Sequence, residues 1–294
     1  MRQSHAFALS LYHLSGKSYK MVSKLLCLPS KSSILKWISR MPNCTALTQP
    51  SIDVIATKVE AMSSTGKMCV ISMDEMSLKS HLFYECSKDK VIGLEDLGDG
   101  IISNKLATSA IVLMARGIIE NWKQPIAYYF VNESCSSDTV KEKLTDAITK
   151  LENIGLNVLG VVSDIGSNFY KFVREMGITP ANPWFMHNGK KIFFIFDTPH
   201  IIKAIRNNLM NYSFHVDDKV ASWKDIEALY RKDSENAIRC CPKLTSKHMC
   251  PNGFLKMKVK LATQVLSHSV AAALTMAVSG GLLSTSAAGT AEIV

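Results

Sequence analysis

Val70-Ile71-Ser72-Met73-Asp74 and Val158-Leu159-Gly160-Val161-Val162-Ser163-Asp164 are two apolar runs that each end in an aspartate, the two acids lying 90 residues apart. Each short apolar run reads as a buried β-strand. A carboxylate is costly to bury unless something pairs with it, so an acid closing each of two core strands asks for a chemical reason. Two such strands laid side by side would bring acidic oxygens within reach of one pair of Mg²⁺ ions, the raw material of phosphoryl transfer on nucleic acid.

The residues between the two runs decide whether the strands can be neighbours. After Val70–Met76, the stretches Leu82–Glu85 and Val91–Glu95 read as a hairpin around Ser87-Lys88-Asp89-Lys90. Ala107–Ile118 and Pro125–Val131 follow as two more strands, with a turn near Asn121-Trp122-Lys123-Gln124. Ser137 and Asp138 then cap an amphipathic helix whose Val140, Leu144, Ile148 and Leu151 fall on one face, and Gly155 ends it. Antiparallel strands, a helix, and a strand returning parallel to the first make the topology of an RNase H-like domain, a mixed α/β sheet. The handedness of the crossover is nearly fixed by chain physics, so Asp74 and Asp164 are expected at the same sheet edge. A short helix from Gly166-Ser167-Asn168 to Met176, a strand over Ile192–Phe196 and a helix over Ile201–Met210 complete this block. Beyond Asn211 the periodicity reads as wholly helical, strongest over Trp223–Tyr230 and Phe254–Val278. The expected division is a helical segment 1–42, an α/β core 52–210 and a helical part 211–294.

Of the 34 basic side chains, seven (Arg2, Lys17, Lys20, Lys24, Lys31, Lys36 and Arg40) fall in residues 1–52, which hold no acid; the other 27 nearly balance the 25 acids in the rest of the chain. The net charge of +9 is therefore a local patch, and a polyanion is its natural partner. Three short helices fit this segment, over His5–Leu14, Tyr19–Leu26 and from an N-cap at Ser30. With Lys24, Lys31, Lys36 and Arg40 on or beside the later helices, the outline is that of a helix-turn-helix DNA reader. A small bundle with a solvated basic face is the alternative.

Eight cysteines without a secretory leader fit a reducing, intracellular setting. Cys240, Cys241, His248 and Cys250 could hold zinc, but their spacing matches no standard zinc pattern. Leu261–Val278 is apolar, yet Gln264, Ser267, His268 and Ser269 interrupt it and it barely reaches the ~20 residues a span needs. A buried helix, and no membrane partner, is the expectation.

Several blocks carry a family likeness. Ser72-Met73-Asp74-Glu75-Met76, Val91-Ile92-Gly93-Leu94-Glu95-Asp96, Val112-Leu113-Met114-Ala115-Arg116-Gly117 and Ser163-Asp164-Ile165-Gly166-Ser167-Asn168 resemble P-element-type transposases, including their THAP-bearing relatives. Phe196-Asp197-Thr198-Pro199-His200-Ile201-Ile202-Lys203 with Ile205-Arg206-Asn207-Asn208 is similar to another block of that family, and together these cover nearly the whole chain in family order. The resemblance implies an RNase H-like nuclease core interrupted by a helical GTP-binding insertion, Mg²⁺ or Mn²⁺ as cofactor, DNA and GTP as partners, work as an assembly of copies, and a nuclear location. It also implies a third catalytic acid, a glutamate, after the insertion; Glu292 falls in the wrong place for it, so the chain reads as a fragment with little turnover of its own. No match to the THAP cysteine-histidine pattern is present.

The chemistry then reads as follows. Asp74 would bridge two metal ions and Asp164 would hold one of them; the bland alternative is that both merely end strands. Glu75 points away from Asp74 by strand alternation. Asp197 and His200 could support the metal site or serve as an N-cap and a packed ring, and Lys203 and Arg206 could meet phosphate or only water. No Gly-x-x-x-x-Gly-Lys-Ser/Thr loop is present, so GTP rests on the resemblance alone. The expected function is a piece of a cut-and-paste DNA transposase; the alternative is a non-catalytic DNA-binding protein of the same descent.

Overall fold

The computed structural model describes residues 2–39, 44–86, 89–98, 100 and 102–294. Three short helices come first, α1 (Arg2–Leu14), α2 (Gly16–Val22) and α3 (Lys31–Ile38). Ser15 caps α2 by accepting the Ser18 N–H, so this helix starts before the expected Tyr19 and has ended by Ser23. Ser30 caps α3 through the Ser33 N–H. Ala8, Tyr19 and Ile34 form their shared core, and the Tyr19 hydroxyl donates to the Pro29 carbonyl across the turn.

The central block runs α4 (Gln49–Glu60), β1 (Met68–Ser77), β2 (Phe83–Glu85), β3 (Lys90–Ile92), β4 (Leu94–Asp96), β5 (Ile102–Leu106), β6 (Ser109–Gly117) and β7 (Lys123–Val131). It continues with α5 (Ser137–Asn153), β8 (Asn157–Ser163), α6 (Ser167–Glu175), β9 (Trp184–His187), β10 (Lys190–Phe196) and α7 (Thr198–Leu209). Eight of these strands make one sheet in the order β5-β4-β7-β6-β1-β8-β10-β9. β1 is antiparallel to β6 and parallel to β8, and β8 is parallel to β10. The mixed α/β sheet expected from the strand order is therefore present, with the crossover through α5 placing β8 beside β1.

The reason is legible in the core. Cys69, Ile71 and Met73 of β1 alternate inward against Ile52, Ile55 and Val59 of α4, Leu144, Ile148 and Leu151 of α5, and Phe169 and Phe172 of α6. Each such fully buried side chain stabilises the fold by roughly 1.5–3 kcal/mol relative to exposure. Ser72 and Asp74 lie on the opposite face of the sheet.

Three local expectations change. The hairpin at 82–95 is shorter: β2 and β3 pair as a separate ribbon, and the chain then bends into the main sheet at Gly93, whose φ is +107°. A Cβ there would sit 2.0 Å from the His81 carbonyl oxygen, so only glycine fits. Beyond residue 211 the chain is not wholly helical: β11 (Phe214–Val216) and β12 (Lys219–Ala221) form a hairpin turning at Asp217, whose φ of +52° an aspartate tolerates. The long helix expected over 254–278 is three pieces, α10 (Gly253–Lys256), α11 (Val259–Val265) and α12 (His268–Ser279), which follow α8 (Trp223–Ser234) and α9 (Ser246–Met249) and precede α13 (Ala287–Ile293). Residues 259–279 are long and apolar enough for a span by composition, but they break at Leu266-Ser267 and place Val265, Val270, Ala273 and Leu274 in a core with Trp223, Ile226 and Leu244.

Candidate functional site on three neighbouring strands

In the parallel ladder Met73 of β1 stands opposite Ser163 of β8, and on the other side of β8 Phe196 of β10 stands opposite the same Ser163. The next residue on each strand is an aspartate: Asp74, Asp164 and Asp197. The Asp197 N–H donates to the Ser163 carbonyl at 2.7 Å, extending the ladder by one residue. Three neighbouring strands thus carry an aspartate at one level; β8 and β10 end there, whereas β1, expected to close at Asp74, runs on to Ser77 paired with β6 alone.

Asp74 is exposed, yet its carboxyl is held above the ordinary aspartate value. Partial desolvation is the main cause and the negative charge of Asp164 the next, with Asp197 adding to it; His200 and the Glu75 backbone N–H oppose the shift. Like-charge crowding of this kind is what a bound cation would relieve. Asp164 Oδ1 accepts the Gly166 N–H at 3.1 Å. The Asp197 side chain accepts the His200 N–H and caps α7, and the His200 Nδ1 lies 3.7 Å from Asp197 Oδ2.

The topology brings Asp74 and Asp164 to the end of the β1–β8 ladder, on adjacent strands. Hard carboxylate oxygens suit Mg²⁺ or Mn²⁺. Among the described residues no group of three or more His, Cys, Asp or Glu is gathered as a metal centre. Glu75 faces the helix side, where its Oε2 accepts Asn168 Nδ2 at 2.8 Å. That partner was not read from the sequence, although Asn168 sits in the same Asp-x-Gly-x-Asn run as Asp164.

Lys31 and Lys36 are exposed on α3, Lys24 is exposed in the turn after α2, and Arg40 lies outside the described residues. Arg206 does not meet water: it is fully buried, with Nε on Asn207 Oδ1 at 2.7 Å and Nη2 on the Lys256 carbonyl at 2.8 Å, tying α7 to α10. Desolvation holds its guanidinium below the usual value. The zinc alternative finds no support in the bonding: His248 uses Nδ1 to accept the Thr245 N–H and Nε2 to reach Gln264 Oε1, and burial pushes the Cys241 thiol up to about 11.

With this geometry in hand, comparison with known proteins defines the class. A TNP-like RNase H N-terminal domain matches residues 45–177, and a TNP-like GTP-binding insertion domain matches residues 199–294. The Transposable element P transposase of Drosophila melanogaster is 29% identical over 276 residues, covering 91% of this chain and 34% of that protein. The human DNA transposase THAP9 is 30% identical over 284 residues, covering 91% of this chain and 31% of that protein. The solved Drosophila P element transposase strand transfer complex superimposes with a TM-score of 0.82 at 26% identity, over 98% of this chain and 62% of that one. The chain is a homologue of the P-element-type transposases, and it spans about a third of the length of these two relatives.

Proposed function

We propose that this chain is the DNA-binding and metal-holding part of a cut-and-paste transposase, acting on DNA strands at the Asp74–Asp164 end of the sheet. The observation that supports the reading is the register, in which Met73 and Ser163 pair directly and Asp74 and Asp164 are the next residues on the two adjacent strands. Asp74 and Asp164 would hold Mg²⁺ or Mn²⁺, and Asp197 with His200 would support them. A bound divalent ion supplies an activated oxygen nucleophile and neutralises the leaving oxygen in an in-line displacement. The chain's own residues hold the ion and fix its place against the sheet. Lys24, Lys31, Lys36 and Arg40 bind DNA phosphates, GTP binds within 199–294, and the site of action is the nucleus, with copies of the chain assembling on DNA.

A second reading, DNA binding without cutting, is favoured by one observation: the described residues gather no third metal-ligating group at the site. A plasmid-nicking assay in Mn²⁺ or Mg²⁺ separates the two. The first reading predicts weak metal-dependent nicking that Asp74→Asn and Asp164→Asn abolish while DNA binding persists. Salt-dependent binding with no nicking under any metal favours the second. Under either reading, each of Lys31→Ala and Lys36→Ala lowers affinity and reduces the log–log salt slope by about 1.

A further inference from the structure

We infer that Glu75 and Asn168 form a positioning pair that fixes Asp164 relative to Asp74; this rests on the metal-holding role proposed above. The backbone ladder between β1 and β8 ends at Met73 and Ser163, one residue short of both carboxylates. Past that point the Asp164–Gly166 turn needs another hold on β1. Asn168, in the first turn of α6, supplies it across 93 residues of sequence by donating Nδ2 to Glu75 Oε2 at 2.8 Å. A carboxylate acceptor makes this one of the stronger kinds of hydrogen bond.

The rest of the turn is locked to that bond. Asn168 is buried at 8% exposure, and its Oδ1 accepts the Phe169 N–H at 2.9 Å, so the amide can rotate in only one way that satisfies both ends. Gly166 is wedged against it: a Cβ on that glycine would lie 2.7 Å from Asn168 Oδ1 and 3.1 Å from Asp164 Oδ1. The same glycine donates its N–H to Asp164 Oδ1. A continuous set of contacts therefore runs from Glu75 through Asn168 and Gly166 to the Asp164 carboxylate. Glu75 and Asp74 are consecutive on β1 but face opposite sides of the sheet, so Glu75 fixes the geometry from behind without touching the ion.

The test is Mn²⁺ titration followed by the electron paramagnetic resonance of free Mn²⁺, with the melting temperature of each variant measured in EDTA. Glu75→Ala and Asn168→Ala are expected to weaken Mn²⁺ binding by about 10-fold or more, the usual effect of removing a partner one shell out from the ligands. Glu75→Gln deletes the charge but keeps an acceptor for Asn168, and is expected to stay within about twofold of wild type. If Glu75→Ala does not fold, Asn168→Ala removes the same bond from the other side. Folded Ala variants that bind Mn²⁺ as wild type does overturn the pair, as does a Glu75→Gln loss equal to that of Glu75→Ala. A wild-type chain whose Mn²⁺ binding is indifferent to Asp74→Asn instead overturns the metal-holding reading, and the positioning role with it.

Discussion

Gly166→Ala adds one methyl group at the point where the Asp164 turn meets Asn168. The backbone tolerates it, since Gly166 has φ −61° and ψ 147°, an ordinary extended conformation. All of the cost is contact: the new carbon would lie 2.7 Å from Asn168 Oδ1 and 3.2 Å from Phe169 Cδ2, both on side chains that are almost fully buried. If Asn168 swings away it loses its bond to Glu75, worth about 1.5–3 kcal/mol for a charged acceptor. If it stays, the overpacking costs about 1–3 kcal/mol. The lower unfolded-state entropy of alanine returns about 0.4–1 kcal/mol. A net loss of about 1–2 kcal/mol is expected, read by urea denaturation followed through hydrogen exchange of β8 amides. The decisive comparison is a double-mutant cycle with Asn168→Ala, which empties the space the new methyl needs. In that background Gly166→Ala keeps only the milder contacts at 3.1 Å to Asp164 Oδ1 and 3.2 Å to Phe169 Cδ2 and is expected to cost clearly less, a coupling of about 1 kcal/mol. An equal cost in both backgrounds would refute the contact argument.

Two further outcomes follow from the geometry. Asp233, at 3% exposure, accepts Arg239 Nε at 3.2 Å and the backbone N–H groups of Cys240 and Cys241 at 2.6 and 3.1 Å, so it holds the chain leaving α8. Asp233→Ala should cost about 3–5 kcal/mol by removing the carboxylate partner of Arg239, whose Nη2 keeps only the Cys241 and Leu244 carbonyls, and by leaving a buried N–H unpaired, and Asp233→Asn clearly less; thermal unfolding of the helical part checks both. Asp74 has a folded pKa above its unfolded value, so its ionised form costs stability at neutral pH and the cost fades as pH falls through the folded value. Asp74→Asn in EDTA is therefore expected to raise stability at pH 7 slightly, by no more than about 1 kcal/mol for so exposed a group, with the gain vanishing in acid, as thermal unfolding at both pH values would show. A loss of stability at pH 7 would show that the strand end is not crowded with negative charge.

The sheet was readable because its central strands bury one or both faces: Ile71, Val158, Leu113 and Ile126 sit in runs whose periodicity has one interpretation. The parallel placement of β8 beside β1 followed from the helix between them and the rule on crossovers. The edge strands were not readable, since β5 is mostly exposed and carries no inward alternation, and β9 has only Phe185 buried among its four residues. In the helical part, sequence periodicity saw one apolar face across 254–278 but not the breaks at Lys258 and Ser267, which take their place from packing around Trp223 and Leu244. At the site, alternation correctly turned Glu75 away from Asp74. It could not show that Glu75 meets Asn168, because that contact depends on how α6 leaves β8. Asp197 was legible as a helix cap, whereas its station beside Asp164 came only with the register of β10.

The claim that Asp74 and Asp164 hold one divalent site can be put to the chain directly by loading Fe²⁺ in place of Mg²⁺ and adding ascorbate and peroxide, so that radicals cut the backbone next to the bound iron. The account predicts cuts confined to the backbone around Asp74 and Asp164, suppressed by excess Mg²⁺ and lost in Asp74→Asn. Cutting elsewhere, or cutting at these residues that Asp74→Asn leaves unchanged, would contradict it.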